Sequence, residues 1–327
     1  MKAFLKLIRL PNLLIVILTM VLMRYAILAP ILSKMNISLY ASAGNSSHMC
    51  LQSSWFDFFM LVTATVLITA GGYVINDYFD IKTDLINRGK VIVGSKISRR
   101  KAMMWHNILN IVGVAAGLYV SIKAGYIWMG GLFLVVSGLL YFYSASYKRQ
   151  FLIGNLLVAL LTAMVPMLVV VFEAPVLYQY YAINALKIPD ISIIFFWVGG
   201  FAIFAFLTTL SREIIKDIED FEGDVAYGRN TIPVVIGILT SKIVSISLII
   251  ITLVLLYLVW YFFLNDLITL LYISIAVALP MMYIILQVII SQSRKQLHSA
   301  SRMMKIVMLS GILYSVVVKI ILTCNLV

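Results

Sequence analysis

"GGYVINDYFDIKTD", residues 71–84, closes a stretch from Trp55 in which Asp57 is the single charge before Asp77. Three carboxylates, Asp77, Asp80 and Asp84, then stand where a long apolar segment ends. A second stretch, "SREIIKDIEDFEGD" at residues 211–224, sets Asp217, Asp220 and Asp224 at the same spacing after another apolar run. The chain around them has 327 residues, 63% hydrophobic and 12% charged, with a mean hydropathy of +1.05. That balance excludes a water-soluble globular domain. Runs of about 20 apolar residues suffice to cross a hydrocarbon layer as helices, and only helices or closed barrels satisfy their backbone there. The runs are continuous, with no alternation, which selects helices over a barrel. The expected fold is all-α: a polytopic membrane bundle forming one domain over residues 1–327.

Nine spans are expected, at residues 11–33, 56–78, 103–122, 126–144, 151–172, 192–213, 242–263, 267–290 and 305–325. With the N-terminus inside, the inner segments are 1–10, 79–102, 145–150, 214–241 and 291–304. Of the 25 Lys and Arg, all but Arg24, Lys34, Lys123, Lys187 and Lys319 lie in or beside those inner segments. Such an excess orients a membrane protein with that side in the cytoplasm. It also accounts for the net charge of +12 without any nucleic-acid partner. The expected location is the cell's inner or plasma membrane, with the N-terminus cytoplasmic. Cys50 and Cys324 have no metal or redox spacing.

Acids contribute little to orientation, yet nine of the 13 Asp and Glu fall within 77–84 and 213–224. At about 100° per residue, Asn76, Asp77, Asp80 and Asp84 share one helix face. Glu213, Lys216, Asp217, Asp220 and Asp224 repeat the arrangement, which suggests an internally duplicated helical unit. Crowded carboxylates repel unless a cation sits among them. Hard oxygen donors suit Mg²⁺, which keeps some waters and bridges to phosphates. Two opposed stripes would hold Mg²⁺ around a diphosphate, with nearby Lys and Arg covering the remaining charge. A diphosphate above apolar helices implies a lipid tail, and ionisation of an allylic C–O bond sheathed from water is prenyl transfer. A carboxylate-coupled transporter is the reading from another class, but it expects acids near the bilayer midplane.

"NDYFDIKTD" resembles the N-D-x-x-D-x-x-x-D signature of the UbiA superfamily of intramembrane prenyltransferases, and "DIEDFEGD" resembles its second Asp-rich motif. The resemblance implies that Asn76, Asp80 and Asp84, with Asp220 and Asp224, bind Mg²⁺ and diphosphate, with Asp77, Asp217 and Glu213 flanking them. "YSASYKR", residues 143–149, is similar to the family's Y-x-x-x-x-K, which implies Tyr143 at the reacting centre and Lys148 and Arg149 on the diphosphate. Arg88 and Lys90 are implied as further diphosphate contacts. The chain reads "NRGKVIVG" over 87–94 where many members read N-R-P-x-R-P, so both prolines are absent. "REIIKDIEDFEGD…GRNTIP" most resembles the branch that prenylates geranylgeranylglyceryl phosphate, and aromatic acceptors of quinone synthesis are the alternative. The implied partners are a polyprenyl diphosphate, geranylgeranyl diphosphate by this resemblance, a lipid-like acceptor and the bilayer. No protein partner is implied. Arg99, Arg100, Arg229 and Lys242 are cations available to a phosphorylated acceptor.

Outside the motifs, Gly71-Gly72 reads as a site of close helix packing, and Pro166 as a kink. Arg24, inside the first span, is either functional or snorkels to the outer face. Trp105 and His106 read as interfacial anchors, and Tyr178, Tyr180 and Tyr181 as an aromatic belt on an outer connection.

Overall fold

The computed structural model describes residues 2–39, 46–89, 91–187 and 189–324. Nine helices among the described residues are long and apolar enough to cross a membrane. They are Leu10–Lys34, Trp55–Phe79, Arg99–Lys123, Ile127–Ala145, Ile153–Asn184, Ser192–Glu219, Ile238–Leu264, Leu267–Ile290 and Arg294–Cys324. The second span packs mainly on the third, the fifth on the sixth, and the sixth also on the seventh and ninth. A short antiparallel pair, Asn36–Ser38 with Ser46–His48, follows the first span.

Two span ends extend well beyond their apolar runs. The fifth helix continues to Asn184, so Tyr178, Tyr180 and Tyr181 stand on a helix and do not form a loop belt. Tyr181 is buried and its hydroxyl accepts from the Cys50 amide at 3.0 Å. The ninth helix begins at Arg294; its polar first turns carry an apolar stripe of Leu297, Ala300 and Met304, all buried. Burying such a stripe makes a polar segment helical where mean hydropathy alone reads a loop.

Prolines leave marks on two spans. Pro30 and Pro280 each lack the N–H that the residue four earlier needs. The preceding residue then donates one position further back, Ala29 to Arg24 and Leu279 to Ser274, giving widened turns at Met23–Leu28 and Ile273–Ala278. The fifth span runs unbroken through Pro166 and Pro175.

The widened turn of the first span carries Arg24, which is 3% exposed and does not snorkel. It pairs with Glu173 of the fifth span at 2.9 Å and donates to the Ser53 carbonyl at 2.6 Å. Glu173 in turn accepts from the amides of Gln52 at 2.7 Å and Ser53 at 3.1 Å, and from the Ser53 hydroxyl. This network ties the start of the second span to the first and fifth. His106 likewise is no interfacial anchor: it is buried, with Nδ1 2.9 Å from the Gly71 carbonyl. A Cβ on Gly71 would lie 2.5 Å from Asn110 Nδ2, so glycine there lets the second and third spans approach.

Candidate active site

The second and sixth spans end in the same way. Asp80 is the last cap of Trp55–Phe79 and the first of the short helix Ile81–Arg88, with φ −88° and ψ 2°. Asp220 plays both parts between Ser192–Glu219 and Phe221–Ala226, with φ −96° and ψ 8°. Each acidic motif is therefore a helix, a break at the middle carboxylate, and a second short helix. The continuous-helix angles do not carry past the break, and Asp84 and Asp224 are placed by the short helices.

These ends face each other around a cavity lined by Asp80, Asp84, Glu213, Asp217, Asp220 and Asp224. Tyr143, Lys148, Lys216 and Arg229 complete much of its wall. Six carboxylates against three cations give this pocket a negative excess in a chain of opposite net sign. Arg229 is the bridge: Nη2 donates to Asp80 at 2.8 Å and to the Thr83 hydroxyl at 2.6 Å, and Nη1 lies 3.5 Å from Asp224. Lys148 donates to Asp80 and, at 3.2 Å, to Asn76 Oδ1. Asn76 donates to Asp80 at 2.9 Å. Asn155 donates to Asp217 at 2.7 Å, and Arg294 to Asp220 at 3.0 Å.

Local sequence explains how these cations arrive. The turn before the fifth span must pass close beneath it, and a Cβ on Gly154 would meet Lys148 Cα at 2.9 Å. The turn carrying Arg229 is pinned by its amide on Asp224 O and by Asn230 N on Arg149 O, both at 2.9 Å. Burial pushes the Asp80 carboxyl up, but Lys148 and Arg229 outweigh it and hold the group well below the usual carboxylate range. At Asp224 burial prevails over Arg229, and Asp220 adds like charge, so that carboxyl is raised.

Not every motif residue reaches the cavity. Asp77 turns away to Arg9, at 2.9 Å. Arg149 lines a side cavity of about 370 Å³ with Lys82, Arg99 and Tyr227. Arg88 ends its helix with its side chain outside what is described, and Lys90 lies outside the described residues. Lys242 donates to the Ser291 carbonyl at 2.6 Å and so ties two spans together. Asn155 and Thr83 line the acidic cavity but carry no motif signal, whereas the "GRN" that holds Arg229 follows the second motif directly.

The acidic cavity itself holds about 30 Å³ of free space. Beside it a cavity of about 690 Å³ runs between the spans, lined by residues such as Val16, Ile68, Leu161, Phe201 and Phe204. Tyr143, Glu213, Lys216 and Asp220 border both. A carboxylate-rich, cation-bridged pocket thus shares a wall with a largely apolar chamber, at span ends and away from mid-helix positions. An amphiphile with an anionic head and a long apolar tail fits that pairing.

A model of the UbiA prenyltransferase family matches residues 39–309. The digeranylgeranylglyceryl phosphate synthase of Methanosphaera stadtmanae is 32% identical over 244 residues, covering 74% of this chain and 80% of that relative. A solved digeranylgeranylglyceryl phosphate synthase structure shares the fold with a TM-score of 0.62 at 22% identity, over 96% of this chain and 98% of the other. A UbiA homologue from Archaeoglobus fulgidus, solved with GPP and Mg²⁺, has a TM-score of 0.52 at 15% identity over 96% and 99% of the two chains. This chain belongs to the UbiA prenyltransferase family and is an integral membrane prenyltransferase.

Proposed function

We propose that the protein transfers a geranylgeranyl group from geranylgeranyl diphosphate to a prenylglyceryl phosphate at the cytoplasmic side of the membrane, with Mg²⁺ as cofactor. The observation that carries this reading is the opposition of the two acidic helix ends across Arg229, next to an apolar chamber. The chemistry of the donor set fits the metal: the pocket offers hard carboxylate oxygens throughout. Among the described residues no three acidic, His or Cys side chains converge on one point. That spread suits an ion that keeps several waters and takes one or two carboxylates at a time, together with substrate phosphates. Asn76, Asp80, Asp84, Asp220 and Asp224 are the residues assigned to it. Bound there, Mg²⁺ would withdraw charge from the diphosphate leaving group.

The chain's own residues do the rest. Free space of about 30 Å³ accommodates little more than a water, so a diphosphate enters by taking Lys148 and Arg229 over from Asp80. Their charge then stabilises the leaving group as the allylic C–O bond breaks and its electron pair passes to the diphosphate. The apolar walls beyond Tyr143 keep water from the carbocation, leaving the acceptor hydroxyl as its nucleophile. The new C–O bond forms there, and the hydroxyl proton passes to Glu213, the carboxylate of the shared wall that is not assigned to the metal. The cytoplasmic orientation follows from the Lys and Arg distribution.

The experiment is a parallel assay of purified protein with labelled geranylgeranyl diphosphate, Mg²⁺, and glyceryl-phosphate or aromatic acceptors. Labelled ether product with the glyceryl phosphate supports the reading. Product with only the aromatic acceptor would replace it by the quinone-type reaction.

A further inference from the structure

The central cavity is apolar along most of its length but strongly basic where the first, sixth and ninth spans meet. Arg9, Arg212, Lys216, Arg302 and Lys305 all line it there. Three of these cations are engaged with carboxylates: Arg9 holds Asp77 at 2.9 Å, and Arg212 and Lys216 reach Glu213 at 2.6 and 3.6 Å. The other two are not. Arg302 lies 3.1 Å from a ring nitrogen of His298. Neither it nor Lys305 forms a salt bridge among the described residues. Lys305 stands within electrostatic range of Arg212, Arg9 and Lys216, a repulsion that Glu213 offsets in part.

Hydrogen-bonding capacity is left over at the same place. The hydroxyl of Thr209, 2% exposed, and the Nε of Arg212 are both buried with no partner among the described residues. Both residues line the cavity one turn apart on the sixth span. A buried donor left unmade costs about 1–3 kcal/mol, and these donors sit beside two cations that form no salt bridge among the described residues. An anion with several acceptor oxygens would satisfy them together. Arg in particular presents a planar fork matched to phosphate.

We propose that Arg212, Arg302 and Lys305, with Thr209, form a second anion subsite that holds the phosphate monoester head of the lipid acceptor. This rests on the prenyl-transfer reading above. The subsite lies across the shared wall from the acidic pocket, so the donor diphosphate and the acceptor phosphate occupy separate charge environments. The apolar part of the cavity takes the acceptor's chain. The side cavity with Lys82, Arg99, Arg149 and Arg229 is the competing location, and it shares no lining residue with the apolar chamber.

The test is equilibrium binding of radiolabelled geranylgeranylglyceryl phosphate, and of its dephosphorylated alcohol, to the purified full chain in detergent. EDTA is present and no donor is added, so the acidic pocket cannot capture the phosphate through a metal. Wild-type protein should bind the phosphorylated lipid at least tenfold more tightly than the alcohol. Arg302→Gln/Lys305→Gln should erase that preference, Lys305→Arg should keep it, and Arg99→Gln/Arg149→Gln should leave it intact. Lys305→Gln alone, expected to lose about threefold, serves if the double variant does not elute as a single species. An unchanged preference in the Arg302/Lys305 variants, or its loss in the Arg99/Arg149 variant, overturns the subsite. Equal competition by inorganic phosphate would overturn the lipid assignment. Preferential binding without any prenyl transfer would sink the transfer reading and leave the subsite standing; transfer with an unaltered acceptor KM in the double variant would do the reverse.

Discussion

Arg229 donates to Asp80 at 2.8 Å although 149 residues separate them in the chain. With Nη1 3.5 Å from Asp224, the guanidinium stands between the middle carboxylate of one acidic motif and the last of the other. Arg229 is 6% exposed, Asp80 and Asp224 3% each. Removing one partner of a buried pair strands the other's charge, at a cost of about 3–5 kcal/mol. Arg229→Ala should lower unfolding stability by about that amount and turnover by about 100-fold. Arg229→Met combined with Asp80→Asn should recover much of the stability and none of the activity. Chemical denaturation in detergent alongside the transfer assay separates the two effects.

Asp80 and Asp224 should bend the pH dependence in opposite directions. The Asp80 carboxyl is held low in the fold. Its contribution is therefore complete above the unfolded value of about 3.9 and is lost as pH falls from there through its folded pKa. The stability gap between wild type and Asp80→Asn should stay constant from pH 7 to about pH 4.5 and shrink below that. Asp224 is raised, so the fold binds its proton more tightly than the unfolded chain does. Its ionisation costs stability as pH rises through the interval between the two values. Asp224→Asn should remove that loss. Thermal unfolding followed at half-unit pH steps reads both slopes.

Much of this arrangement was legible in the sequence, and the exceptions share a cause. Continuous apolar runs announce the spans because each one must satisfy its own backbone in lipid. The acids at 77–84 and 213–224 announce the site because nothing about orientation needs them there. What stayed hidden depends on pairing across the chain. Arg229 reads as a cation for a phosphorylated acceptor or as one more positive-inside charge, until Asp80 and Asp224 appear on either side of it. Arg24 reads as an isolated charge in an apolar run, and only the fold brings Glu173 to it. Helix breaks at Asp80 and Asp220 escape a wheel diagram, since neither glycine nor proline marks them.

Metal dependence should separate from folding. Asp84→Asn and Asp220→Asn alter residues that line the acidic pocket without removing side-chain volume. Each should cut turnover by more than about 100-fold while the protein still elutes as a single species with near-native melting. EDTA should stop the wild-type reaction and Mg²⁺ restore it. Normal turnover in either variant, or indifference to chelation, would count against the metal assignment.

The ion pair between Arg24 and Glu173 lies inside the first and fifth spans and outside the acidic pocket, next to Ser53 before the start of the second span. Glu173 takes hydrogen bonds from two backbone amides as well as from Arg24. Replacing it by alanine strands a buried guanidinium and two N–H groups together, and should cost about 3–5 kcal/mol. Glu173→Gln keeps the amide contacts and should cost less. Arg24→Met with Glu173→Met removes both charges, and the pair of substitutions should be milder than either alone, since desolvation of the two ions no longer opposes folding. Specific activity of the folded fraction should match wild type in all of them, because none of these side chains borders the acidic pocket. A double-mutant cycle on unfolding free energy, run beside the transfer assay, measures the coupling. Additive losses would show that the two charges act independently, and a fall in specific activity would show that this ion pair shapes the site.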